Sequence, residues 1–336
     1  MLRILVLAAC LVTTSSFWLV MSFFVQMPGI SSPTAITDLS PAGTEIKANL
    51  QETVGYLSST IGPRNVKNEG SLEKTQDYIT KRFEKYGYKV TRQEIPGCQQ
   101  ANLSVQIDGT SHKHEIVVVG AHYDSVPLCP GADDNASGIA ALLELSRLLR
   151  NTKPDRTIRL IAFANEERPY FGQTGMGSYY AAQQSRKNQE NIIGMLSLET
   201  LGFYSDAAGS QRYPFPFALF YPSTGNFIGF ISNWNSRHFT YACISAFRKE
   251  ASIGSQGCAA PEILKDIGRS DHWSYWQFHY PAIMITDTAN FRYPFYHKVQ
   301  DTQDKLDYTS TARVVAGLSR VLANLCGIHI EKAASL

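Results

Sequence analysis

The chain has 336 residues, 44% of them hydrophobic and 18% charged, which is enough apolar material for one large core, and α/β folds of this length are commonly a single domain. Its net charge of +2 comes from Lys and Arg scattered among acids. With no basic cluster, a nucleic-acid partner is excluded.

No charged residue occurs from Ile4 to Val25, and only Arg3 precedes the run. A bilayer span takes about 20 apolar residues, so residues 1–26 read as a signal peptide or a signal anchor. Thr13 to Ser16 interrupts the run as a cleaved signal would, and Phe17 to Val25 resumes it as an anchor would; the anchor is the favoured reading. The cation at Arg3 then leaves the folded domain outside. The expected location is extracytoplasmic, on a membrane through this segment, or secreted or periplasmic if it is cleaved. Leu7 to Cys10, LAAC, lies too near the start to serve as a lipoprotein box. Residues 27–43, rich in Pro, Ser, Thr and Gly, read as a linker, and residues 44–330 as the folded domain.

Within that domain Ser71 to Tyr86 is an amphipathic helix stopped by Gly87, with Leu72, Ile79 and Phe83 on one face. Ile116 to Val119 is a β-branched run without alternation, a strand covered on both faces, and Gly120 ends it so that His122 sits near its carboxyl edge. Ser137 to Arg150 is a buried helix whose positive dipole end follows Asp134. Thr157 to Ala164 and Ile192 to Leu198 are further apolar strands, the first running into Asn165, Glu166 and Glu167, the second into Glu199. Gly202 to Phe239, rich in aromatics, Pro and Gly, holds a strand and loops that frame a pocket. Pro281 to Thr286 is a fourth strand, followed by the loop with Tyr296 and His297, and Thr309 to Ile328 is a closing helix. Strand and helix alternation of this kind supports a three-layer α/β/α sandwich around a mostly parallel mixed sheet, preceded by the apolar segment.

Acids and imidazoles thus gather where strands end, the edge at which open α/β sheets bind ligands. Oxygen and imidazole donors suit zinc, manganese or cobalt, and the lack of clustered cysteines argues against a Cys-type structural zinc site. Of six cysteines, Cys10 lies in the apolar segment; Cys98, Cys129, Cys243, Cys258 and Cys326 remain, an odd number. Cys243 and Cys258 bracket a short excursion and form the disulfide candidate, while Cys129, between His122 and Asp134, reads as a small buried hydrophobe.

Four motifs, GAHYDS (120–125), GADDNASG (131–138), NEE (165–167) and PFYHKVQDT (294–302), together resemble those of the co-catalytic zinc aminopeptidases of the bacterial leucyl aminopeptidase and aminopeptidase Y type, relatives of glutaminyl cyclases and glutamate carboxypeptidases. The resemblance runs from Leu50 to Tyr308. It implies two Zn²⁺ per chain, with Mn or Co as substitutes: His122 and Glu199 on one ion, Glu167 and His297 on the other, and Asp134 bridging. Only a carboxylate bridges two cations that acidify a shared water. Glu166 is then the proton carrier, Asp124 the partner of the second imidazole nitrogen of His122, and Tyr296 a donor to the developing oxyanion.

Position 199 is Glu where the well-known aminopeptidases have Asp. His279 reads as an exposed or capping residue. Ser270, Asp271 and His272 are adjacent, so they form no catalytic triad; Asp271 and His272 read as supporting residues. The expected activity is that of a metal-dependent exopeptidase acting on peptides from the free amino end. A glutaminyl cyclase-type acyltransferase, a carboxypeptidase using a cation such as Arg168 or Arg292, and a catalytically inactive binding ectodomain are the alternatives.

Overall fold

The computed structural model describes residues 15–32 and 37–328. The first half of the amino-terminal apolar run, up to residue 14, therefore lies outside the described residues. Its remainder, residues 15–25, is a helix (α1). No helix among the described residues is long and apolar enough to cross a membrane.

The elements that follow are α2 (Pro41–Gly55), α3 (Ser71–Lys85), β1 (Thr91–Glu94), β2 (Ala101–Ile107), β3 (His112–His122), α4 (Gly138–Leu149), β4 (Arg156–Phe163), α5 (Gly177–Lys187), β5 (Asn191–Glu199), β6 (Phe227–Asn233), α6 (Arg237–Glu250), β7 (Gly254–Ala260), α7 (His272–Gln277), β8 (Ala282–Thr286) and α8 (Tyr308–Cys326). The eight strands form one mixed sheet in the order β1-β2-β4-β3-β5-β8-β6-β7. Its centre, β4-β3-β5-β8, is parallel, while β2 and β6 flank it antiparallel.

Burial on both faces explains the unbroken apolar runs of the central strands. In β3, Val117, Val119 and Ala121 enter one core with α2, α3, α4, α6 and α8, and Ile116 and Val118 enter a second core with α5, α7 and the inner side of α1. The expected α/β/α sandwich is therefore the observed architecture. Helix ends follow local chemistry: Ser40 Oγ accepts the Gly43 N–H at the start of α2, and Asp307 accepts the N–H groups of Thr309 and Ser310 at the start of α8. Gly327, in the left-handed conformation, ends α8.

Two expectations change. Helix α2 begins at Pro41, inside the stretch read as linker, and residues 27–29 are not free: the Arg248 guanidinium donates to the carbonyls of Met27, Pro28 and Gly29. The Cys243–Cys258 disulfide is absent, and both thiols are free. Cys243 points from α6 into the first core and Cys258 from β7 into the second, so the sheet separates them.

In the first core the Phe247 ring is fully buried, 5.2 Å from Phe230, and occupies the space that Gly317 of α8 leaves open, where a Cβ would stand 2.4 Å from the ring. Phe247→Ala is expected to lower unfolding free energy by about 3–5 kcal/mol, read as a lower denaturant midpoint at unchanged slope.

Candidate metal centre

The carboxyl ends of β3, β4, β5 and β8 open on one side of the sheet, and each delivers side chains there. Parallel pairing fixes their level: His122 of β3 is in register with Phe163 of β4, and Glu199 of β5 with Thr286 of β8. From β3 the chain moves one way to β4 and then crosses back to β5, which makes this edge a topological switch point.

Around that point two donor triads meet, His122–Asp134–Glu199 and Asp134–Glu167–His297, and Asp134 belongs to both. His122 Nε2 lies 3.1 Å from Glu199 Oε2 and 3.4 Å from Asp134 Oδ1. His297 Nε2 lies 2.8 Å from Asp134 Oδ2 and 3.3 Å from Glu167 Oε1. Neither of those oxygens accepts a hydrogen bond, although both are buried and an imidazole stands beside them. Lone pairs converging without a shared proton are the arrangement expected where ligands face a cation. All members are buried except His297, which is open to solvent at one edge. Glu166 is in neither triad, yet its carboxylate is buried 4.0 Å from His122 Nε2.

Without a cation the cluster is electrostatically uneasy. Burial pushes Glu166 well above the usual carboxylate range, with Glu167, Glu199 and Asp271 adding to it and His122 opposing. Burial and then Asp134 raise Glu167 to about 7, and burial also raises Glu199. Burial alone would lower the imidazoles, but the surrounding carboxylates outweigh it; His122 is held well above its usual range and His297 at about 10. Asp134 stays below the ordinary range because the imidazoles of His122 and His297 beside it outweigh its burial. Divalent cations would replace these protons and neutralise the carboxylates together.

Asp124 spans the two halves of the site. Its oxygens accept the backbone N–H groups of Glu166 and Glu167 at 3.0 and 2.9 Å, and Oδ1 lies 3.4 Å from His122 Nδ1. Tyr296 stacks on the His297 ring, 3.9 Å between centroids, and borders two cavities that meet at the triads. One is apolar and runs from Glu199 and Tyr296 between Phe217, Tyr221, Ile231 and Met284. The other lies on the Glu166, Glu167 and His297 side, with Trp273 as its wall. The aromatic stretch after Gly202 does contain a strand, β6, and pocket-framing loops.

Asp271 and His272 are fully buried behind the site. His272 Nε2 meets the Ile267 carbonyl at 2.7 Å, and burial lowers this imidazole to about 4. His279 is exposed in the left-handed position after α7. Cys129 is buried, its thiol directed at the Lys298 carbonyl and pushed up to about 12 by burial. Arg292 donates to Gln211 Oε1 and the Phe227 carbonyl inside the protein, away from the triads.

Several positioning residues had no role assigned to them from the sequence. Arg64 is fully buried, and its guanidinium donates to the carbonyls of Leu57, Tyr123, Pro130 and Gly131, tying the His122 loop to the Asp134 loop. Asp301 accepts the N–H groups of Asp133 and Asp134. Ser270 Oγ donates to Glu199 Oε2 at 2.7 Å. Arg64 reaches the Tyr123 carbonyl across 59 residues of chain and Ser270 reaches Glu199 across 71, beyond the reach of any local pattern. Thr200 and His297 themselves adopt left-handed backbone, a costly state for residues with a Cβ and one found preferentially at functional sites.

Peptidase family M28 matches residues 102–322. The Escherichia coli protein YfbL, itself uncharacterized, is 36% identical over 284 residues, covering 82% of this chain and 87% of that one. The aminopeptidase YwaD of Bacillus subtilis is 41% identical over 81 residues, 24% of this chain and 18% of YwaD. Among solved structures, the LapA aminopeptidase of Legionella pneumophila superposes with a TM-score of 0.68 at 19% identity, covering 89% of this chain and 79% of that chain. The glutaminyl cyclase of Porphyromonas gingivalis gives 0.58 at 17% identity, covering 85% of this chain and 100% of that chain. These likenesses, at such identities, concern the fold. The family match takes in most of the chain and every residue of both triads, and the chain accordingly belongs to peptidase family M28, a zinc metallopeptidase by membership and by the donors it assembles.

Proposed function

We propose that the protein is an exported two-metal exopeptidase that removes residues from the free amino end of peptides. The observation that carries this reading is the pair of triads joined through Asp134, with Glu166 buried beside both and belonging to neither. His122 and Glu199 would hold one zinc ion, Glu167 and His297 the other, and Asp134 both. When bound, the cations supply an acidified water and polarisation of the scissile carbonyl. Glu166 takes the proton of the attacking water and returns it to the leaving amine. Asp124, bonded to the backbone of Glu166 and Glu167, keeps base and ligand in place and holds His122 Nε2 towards the centre. The Tyr296 hydroxyl donates to the oxygen that gains charge.

The direction of attack follows from charge. Glu166, which would hold neither cation, leaves a carboxylate beside the centre, which favours a free α-ammonium over a carboxylate. Arg292, the buried cation that a carboxypeptidase would need free, is spent on Gln211 and Phe227. The apolar pocket beside Glu199 and Tyr296 supports a large uncharged amino-terminal side chain as substrate.

Metal analysis of the active protein is expected to give about two divalent ions per chain. One tight ion, with no gain in activity on adding a second, would point to the cyclase-type reading. Glu166→Gln should lower turnover by about 10²- to 10⁴-fold with metal content retained, whereas Asp134→Ala should lose metal and activity together; release of metal by Glu166→Gln would reverse the assignment of Glu166 and Glu167.

On a peptide panel, amino-terminal Leu and Phe should be released faster than Lys or Glu, and acetylation of the amine should abolish release. Acetylated peptides cut as fast as free ones would overturn the aminopeptidase direction.

The metal-free protein should also lose stability as pH rises. Glu167 has its folded pKa raised from 4.5 to about 7 and His297 from 6.5 to about 10, so the folded state holds both protons more tightly than the unfolded one. Their contributions are full below the unfolded values and are lost as pH climbs through the folded ones. Zinc competes with the same protons, so the gain in Tm on adding zinc should grow over that range. Melting curves with and without chelator, from about pH 5 to about pH 9, check both signs.

A further inference from the structure

The loop between Tyr213 and Pro222 reads YPFPFALFYP and carries no charge. It has two faces. Tyr213, Phe217 and Tyr221 point inward and line the apolar pocket beside the triads. Phe215 and Leu219 point outward, 84% and 56% exposed. Between them Phe220 packs on α1, its ring 4.7 Å from Trp18.

Helix α1 carries no charge, and apart from Ser15, Ser16 and Ser22 its residues are apolar. Its inner side is seated on the second core through Met21, Phe24 and Val25. Its outer side leaves Phe17, Trp18, Leu19, Val20 and Phe23 between 38% and 62% exposed. Phe24 also meets Trp234, itself partly exposed. Helix and loop thus make one continuous uncharged surface next to the pocket wall. Soluble proteins rarely leave such a surface uncovered.

We propose that this surface rests in the interfacial layer of a lipid bilayer, so that the catalytic domain lies on the membrane with its apolar pocket held against it. Two observations favour a bilayer as the occupant. The chain continues ahead of α1 for fourteen residues that are uncharged from Ile4 onward, so the surface is contiguous with a segment that itself favours lipid. The exposed residues combine Trp and Phe with aliphatic side chains and no charge, the composition that settles at headgroup depth. This seat needs neither a spanning helix nor a particular metal count, and it adds to a terminal tether a contact made by the folded domain itself.

The test uses the full-length chain in vesicles of phosphatidylcholine and phosphatidylglycerol. Phe215→Cys and Leu219→Cys carry an environment-sensitive fluorophore, with Glu84→Cys on the exposed face of α3 as the aqueous control and labelled wild type as background for native thiols. Because all three positions are exposed, folding is expected to persist and is checked by matching melting curves. At 215 and 219 the emission should shift to the blue and be quenched several-fold more strongly by lipids spin-labelled near the headgroup than at 84. Emission at 215 and 219 equal to that at 84 would overturn the proposal. So would a blue shift without lipid quenching, which would place a second copy of the chain on the surface.

Discussion

The site depends on the placement of one carboxylate. Asp134 alone belongs to both donor triads, and its two oxygens lie 3.4 Å from His122 and 2.8 Å from His297. A shift of that side chain separates the triads, since among the described residues no other belongs to both. The backbone around it is correspondingly bound. Asp301 accepts the N–H groups of Asp133 and Asp134, Asn135 donates to the Leu198 carbonyl and accepts from Thr200, and Ser137 accepts the Leu201 N–H. The Asp134 loop is thereby bonded to the end of β5, which carries Glu199.

Holding a carboxylate so firmly means burying further charge beneath it. Asp133, Asp287 and Asp301 lie fully buried under the loop, and Asp133 accepts the Gly202 N–H. Burial, then the neighbouring acids, hold Asp133 well above the usual carboxylate range. Arg64 supplies the opposite solution on the other side: a cation whose burial is offset by five carbonyl acceptors. A buried polar network of this kind rigidifies because any movement leaves a member unsatisfied in a medium that penalises it. Glycine completes the packing where backbones approach: Gly131 has a φ of +63°, and a Cβ there would stand 2.4 Å from the Asp134 carbonyl.

The sheet separates this rigid centre from the more adaptable substrate walls. Ligands come from the ends of paired strands or from loops bonded to them, whereas the apolar pocket is walled by the aromatic stretch between β5 and β6 together with residues of β6, β7 and β8 and the loop after β8. Ring-to-ring contacts such as Tyr213–Tyr221 and Phe217–Tyr221 hold that wall together. Metal chemistry and side-chain selection are thus carried by different parts of the chain, which allows one fold to serve enzymes of the two kinds seen among its structural neighbours.

The sequence by itself determined whatever depends on local order. Unbroken apolar runs located β3, β4, β5 and β8 because each is buried on both faces, and the acids and imidazoles at their ends followed from strand direction. Helix starts near Ser71 and Gly138 were legible from periodicity, and Gly87 marked where the first of these helices stops, whereas the closing helix ends at Cys326, short of the Ile328 read from its pattern. Other elements had no such mark: β7, GSQGCAA, lacks β-branched residues, and α2 begins inside a segment whose composition reads as linker. Tertiary structure alone decided the strand order, the separation of Cys243 from Cys258 on opposite faces of the sheet, and the recruitment of Arg64, Ser270 and Asp301. Their roles are set by partners distant in the chain, and a hydrogen bond formed only when the sheet closes leaves no periodic trace in the residues that make it.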